Sequence, residues 1–225
     1  MAMTESNGEK KIGVPETIFD KNLVVYAGTL ESYQGIDILI QAFIFVAKAD
    51  PQAFLLIVGG SPEQTEFFSK LVAESGIVEQ CLLTGRVEQS LAQNYANRAK
   101  VQVSPRRSGT NTPLKVYQQL ASGVPLVATR IYSHTQVLDD NVAFLVEPEP
   151  EDLARGIIEA LSNETEAKQK AKNAQLLYQE KYSRAVYTQK MINLLEFVTS
   201  TPIKRSPGSE SSENQSANSL NLKSS

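Results

Sequence analysis

Six short apolar runs punctuate this chain, at residues 22–28, 53–60, 81–85, 101–103, 126–129 and 142–146, and amphipathic stretches separate them. The first two runs are unalternated, which predicts parallel strands covered on both faces. Between them Ile36, Leu39, Ile40, Phe43, Ile44 and Ala47 recur at helical spacing and stop before Pro51. Ser61-Pro62-Glu63-Gln64 reads as a capping box with Pro at the first helical position; its helix buries Phe67, Phe68, Leu71 and Val72 and ends at Gly76. Ser90 suits the cap of a helix carrying Leu91, Tyr95 and Ala99. Thr112-Pro113 suits another helix start, Gly123 a left-handed stop, and Pro125 blocks continuation. Residues 133–136 offer a second capping box. Leu153, Ala154, Ile157, Ile158 and Leu161 mark a further helix, residues 164–181 a charged one, and Ser183 opens a last one with Val186, Tyr187, Leu194, Leu195 and Val198.

Strand and helix alternate six times without a hairpin signal. The expectation is an α/β fold: an open, doubly wound, parallel six-stranded sheet of Rossmann-like type, with right-handed crossovers. Residues 1–20 are polar and read as a linker, 21–200 as the domain, and 201–225, rich in Ser and Asn without aromatics, as a disordered tail. In such sheets ligands bind beyond the carboxyl ends of the strands. The loops after strands one, three and four are expected to share one crevice.

Composition narrows the chemistry. Over 225 residues the net charge is −3, which argues against a nucleic-acid binder driven by bulk charge. One cysteine, Cys81, excludes an intrachain disulfide and is expected as a small buried strand residue. One histidine, His134, is expected at the surface or at a helix start, and no metal site is expected. No apolar run approaches the length of a membrane span and no signal-peptide pattern is present. The expected placement is cytoplasmic, compatible with peripheral membrane contact.

Candidate chemistry gathers in three loops. After strand one stand Gly28, Thr29 and Gln34, which suit close backbone approach and a hydrogen bond to a ligand, or else form a plain strand-to-helix turn. After strand three stand Gly85, Arg86 and Val87, a base-reading edge or an exposed arginine at a strand end. After strand four come Arg106, Arg107, Thr110, Asn111 and Thr112, ahead of a helix start at Leu114 and Lys115. Fixed charge, small polar side chains and a helix N-terminus together suit a phosphate-bearing small molecule. A cation in the first helical turn, as at Lys115, opposes the dipole and points the same way. No GxGxxG and no Walker loop is present, which disfavours other nucleotide-dependent enzymes.

The runs VVYAGTLESYQGIDILIQAF, AFLLIVGG, LLTGRV, VQVSPRRSGTNTPLKVYQQLASGVPLVATR and NVAFLVEP, in this order and spacing, resemble the C-terminal, donor-binding domain of GT-B glycosyltransferases of the large retaining family 4 over about residues 22–200. The resemblance implies a nucleotide-sugar ligand as substrate, no cofactor, the base near Gly85-Arg86-Val87, and the diphosphate at 110–115. It also implies an arginine, a lysine and two glutamates where this chain has Thr29, Gln34, Thr110 and Gln118. Gln118 keeps a hydrogen bond for a ribose, and Arg106, Arg107 or Lys115 would replace the lost charge. Members pair this domain with an N-terminal acceptor domain. The expectation from about 20 polar residues before the first strand is a chain that transfers no sugar alone, either a gene fragment or the partner of a separate N-terminal subunit. The alternative is a degenerate, non-catalytic interaction module.

Overall fold

A computed structural model describes residues 14–200, without the side chain of the last. The sequence expectations for residues 1–13 and 201–225 lie outside the described residues. Six strands carry the core: β1 (Asn22–Ala27), β2 (Ala53–Val58), β3 (Cys81–Leu83), β4 (Val101–Ser104), β5 (Leu126–Thr129) and β6 (Phe144–Val146). All pair in parallel, in the order β3-β2-β1-β4-β5-β6. The doubly wound sheet is therefore present, and its order reverses between β1 and β4.

The connections are α1 (Ile36–Ala49), α2 (Pro62–Glu74), α3 (Gln89–Asn97), α4 (Leu114–Ser122), the single turn α5 (Tyr132–Thr135), α6 (Pro150–Ser162) and α7 (Glu164–Lys181). Alternation along β1 shows why its run is unbroken: Val24 and Tyr26 enter the cluster under α1, α2 and α6, while Leu23 and Val25 enter the one under α3. Both faces are dry, so both registers must be apolar. Strand β4 departs from this rule. Val101 and Val103 face the first cluster, but Gln102 and Ser104, equally buried, alternate with them. On that second face the apolar core is split into the α3 cluster and a separate α4–α7 cluster around Val116, Leu120 and Leu126.

The Ser61–Gln64 capping box forms, with both reciprocal bonds. Other helix starts depart from expectation. Thr112 caps nothing: Pro113 is itself the extended N-cap and α4 begins at Leu114. Pro113 has a helical φ of −66° but an extended ψ of 139°, so the helix starts one step late. Ser90 lies inside α3, whose N-cap is Glu88. Ser133 is no cap either; it is buried within α5 after the N-cap Ile131. Residues Glu16–Asp20, in the stretch expected to be a linker, form a 3-10 turn that buries Ile18 and stacks Phe19 on Tyr95. Helix α8 (Arg184–Ser200) extends from the last residues of this body into a second unit that begins at Tyr187. No helix among the described residues is long and apolar enough to cross a membrane.

Candidate functional site

The loops leaving β1 and β4 meet where the strand order reverses. The Arg107 amide donates to the Tyr33 carbonyl at 2.9 Å, tying one loop to the other. Gly35 sits in the left-handed region at φ 70°, and a Cβ there would stand 2.0 Å from the Pro105 carbonyl oxygen. Only glycine lets the two loops approach this closely. Next to them, Gly59 after β2 donates to the Gly85 carbonyl after β3 at 2.9 Å, which brings the third loop alongside Gly28. The loops after β1 and β4 thus meet in a crevice, and the loop after β3 reaches it through Gly59.

Two cations face it. Lys115, in the first turn of α4, lays its ammonium 4.3 Å from the centre of the Tyr26 ring and donates to Gln34 Oε1 at 3.2 Å. Arg106 stacks its guanidinium 5.0 Å from the Tyr33 ring, and its Nε is buried without a hydrogen-bond partner among the described residues. Gly109 permits that pose, since a Cβ there would lie 2.7 Å from the guanidinium carbon. Among the described residues neither cation forms an ion pair, unlike Arg98, Arg107, Arg130 and Arg155. Burial, and then the charge of Arg106, pull the Lys115 pKa down to about 7. A cation pair without carboxylate partners among the described residues, at a helix N-terminus and with the charge of one member disfavoured by its surroundings, is an arrangement completed by an anion.

The other anticipated residues divide around this pair. Gln34 is buried and bridges Thr29 Oγ1 (3.4 Å) to Lys115, so the loop after β1 is more than a plain turn. Thr29 is exposed, and its carbonyl accepts from the Tyr26 hydroxyl at 2.6 Å. Asn111 accepts weakly from Arg106 through its carbonyl, and Thr110 is held by Gln136 Nε2 at 2.6 Å. Thr112 is half-buried and Leu114 is exposed on the rim. Arg107 turns outward into an ion pair with Asp37 of α1, so the adjacent arginines have different fates. Arg86 is exposed with no ion pair among the described residues, while Val87 packs on the α3 cluster.

Gln118 lines a groove of about 220 Å³ between α3 and α4, together with Gly28 and Lys115. Its walls carry Gln89, Gln93, Gln102 and Gln119 as well. Gln102 donates to the Ala96 carbonyl at 3.0 Å, and the buried Oε1 of Gln119 has no partner among the described residues. These glutamines were not anticipated. The signal was the polar alternation of Gln102 and Ser104 in β4 and the Gln118-Gln119 pair.

His134 is not at the surface: it is fully buried. Its Nδ1 lies 2.8 Å from the Thr129 carbonyl and its Nε2 3.1 Å from Ser104 Oγ. Burial, aided by the charges of Lys115 and Arg106 and opposed by the Thr129 bond, brings its pKa down to about 4. Residues at the strand ends explain the departure: Ser104 of β4 and Thr129 of β5 leave a polar hole, and the imidazole fills it. Cys81 is buried at the start of β3 as expected, and burial pushes its thiol up to about 12.

Residues 9–177 match the family described as glycosyl transferases group 1. An uncharacterised glycosyltransferase of Methanocaldococcus jannaschii is 25% identical over 181 residues, which are 80% of this chain and 46% of that protein. Among solved structures, HepE of Anabaena in complex with UDP superposes with a TM-score of 0.72 at 17% identity, over 80% of this chain and 50% of HepE. Sucrose-phosphate synthase of Thermosynechococcus elongatus gives 0.70 at 24% identity, over 80% and 46%. At these identities the two structures establish likeness of fold. The chain spans about half the length of these relatives.

Proposed function

Because the chain belongs to the glycosyl transferases of group 1, we propose that its crevice binds a nucleotide sugar and that these residues supply the donor side of a sugar transfer. The observation that carries this reading is the pairing at the start of α4 of Arg106, whose Nε is buried, with Lys115, whose burial lowers its pKa, neither having a carboxylate partner among the described residues. A diphosphate supplies the missing charge. The amides of the first turn of α4 add their dipole. The reading sets the ribose on Gln118 at the groove mouth and the base toward Gly85, Arg86 and Val87. Structures of HepE with UDP and with UDP-glucose give a related fold in which such a ligand is bound.

The chemistry follows from charge. When a hexose passes to an acceptor oxygen, the bond between its anomeric carbon and the diphosphate breaks, and negative charge grows on the departing diphosphate. Donors and cations fixed in advance at that position lower the barrier. Arg106, Lys115 and the α4 amides stand there. We take retention of configuration from the resemblance. Transfer also needs an acceptor held against the donor, and the reading assigns these residues the donor side only. The neutral Gln34 is no sign of decay in this account, because its amide holds Lys115 in place.

Calorimetric titration with UDP, GDP and ADP and their glucose conjugates tests the proposal. Saturable binding of one series is the expected result. Absence of binding to all of them at millimolar concentration overturns it.

A further inference from the structure

His134 has every mark of a built feature and no part in the proposed ligand contacts. A carbonyl only accepts, so the 2.8 Å contact with Thr129 O assigns the imidazole hydrogen to Nδ1. Nε2 is then the acceptor for the Ser104 hydroxyl at 3.1 Å. The Thr129 hydroxyl, 3.2 Å from the same Nδ1, donates to the Arg106 carbonyl. One buried ring therefore ties together the last residue of β4, the last residue of β5 and the backbone of the residue that carries the crevice guanidinium. The neutral form alone can do this, since a protonated Nε2 cannot accept from Ser104. With its pKa near 4, the ring is neutral at any ordinary pH. The neighbouring cations Arg106 and Lys115 are part of the reason.

We infer that His134 is a positioning residue for the phosphate-binding arginine: through Ser104 and Thr129 it fixes the backbone at Arg106 and so the direction of that guanidinium, without touching the ligand. The inference rests on the proposed donor site. It explains why a chain with a single histidine buries it beneath two cations, where a leucine would fill the space without electrostatic cost. A backbone carbonyl gripped by Thr129 holds the first atom of the Arg106 branch. Among the described residues, the outer end of that branch is held only by the Tyr33 ring and a weak bond to Asn111. The inner grip is what pre-orients it.

The test is UDP binding by the full chain and its variants, with folding monitored by circular dichroism and thermal melting. His134→Leu should weaken UDP binding about tenfold, the equivalent of one lost hydrogen bond. His134→Asn, which keeps an N–H toward the Thr129 carbonyl, should recover part of that loss. Thr129→Val removes only the hydroxyl that grips Arg106 and should weaken binding similarly, which keeps the test open if His134→Leu folds poorly. In an Arg106→Ala background none of these changes should weaken binding further, because they act through Arg106. Wild-type binding with unchanged affinity in His134→Leu and Thr129→Val overturns the inference alone. Losses that add in full to that of Arg106→Ala overturn it too. No binding by the wild-type chain removes the donor site and this inference together.

Discussion

The two faces of the sheet are covered in different ways. Under α1, α2 and α6 the apolar cluster runs without interruption from Leu83 of β3 to Val146 of β6. Under α3, α4 and α7 it breaks at β4, where Gln102 and Ser104 replace aliphatic residues. The break is where the groove opens and where His134 is sunk. A continuous core buys stability; an interrupted one leaves room for polar groups whose orientation is fixed from below. The same sheet thus separates the work of holding the fold from the work of holding a ligand, and substitutions on the two faces should have different signatures.

The largest expected effect is on the unbroken face. Phe43→Ala empties a fully buried site beneath α1. It should cost about 3–5 kcal/mol in denaturant-measured stability. UDP affinity should stay unchanged under conditions where the variant remains folded. A parallel loss of affinity would erase the distinction between faces.

Lys115→Gln on the crevice side should do the reverse, lowering UDP affinity by about 1.5–3 kcal/mol with little change in stability. It should also flatten a pH dependence. In the free chain Lys115 titrates at about 7. An anion raises that value, so binding takes up a proton above pH 7. Affinity is therefore full below about pH 7 and falls as pH rises, by at most about tenfold per unit. Calorimetry in buffers of different ionisation enthalpy would read the proton directly, and identical heats would count against it. A smaller effect is expected of Gln119→Leu, which removes the buried unpartnered Oε1. It should raise stability by about 1 kcal/mol, because an apolar replacement ends the cost of desolvating that group. A loss of stability instead would mean that the groove needs that acceptor.

How much of this was legible in the sequence depends on the face. Unalternated runs such as Leu23–Tyr26 and the regular spacing of Ile36, Leu39, Ile40 and Phe43 announce buried strands and an amphipathic helix, so the sheet and its switch point could be expected. Loop positions and residue types placed Gln34, Arg106 and Lys115 at one crevice. What could not be read was direction. Arg106 and Arg107 are identical neighbours, and only the fold brings Asp37 to one and the Tyr33 ring to the other. The burial of His134, though not its place at a helix start, escaped for a similar reason. Its partners Ser104 and Thr129 are contributed by two strands, and no local pattern announces a polar hole made by tertiary packing. Cap positions failed where the backbone turned helical at a different residue from the one the side-chain preference marked, as at Thr112-Pro113.

The adjacent arginines give the most direct measurement. Titration of UDP into the wild-type chain, Arg106→Ala and Arg107→Ala compares two substitutions of one charge, one residue apart. The account predicts a loss of about 1.5–3 kcal/mol for Arg106→Ala, whose Nε is buried without a hydrogen-bond partner among the described residues. It predicts less than about 1 kcal/mol for Arg107→Ala, whose charge is spent on an exposed ion pair with Asp37. Equal losses, or a larger loss at Arg107, would contradict it.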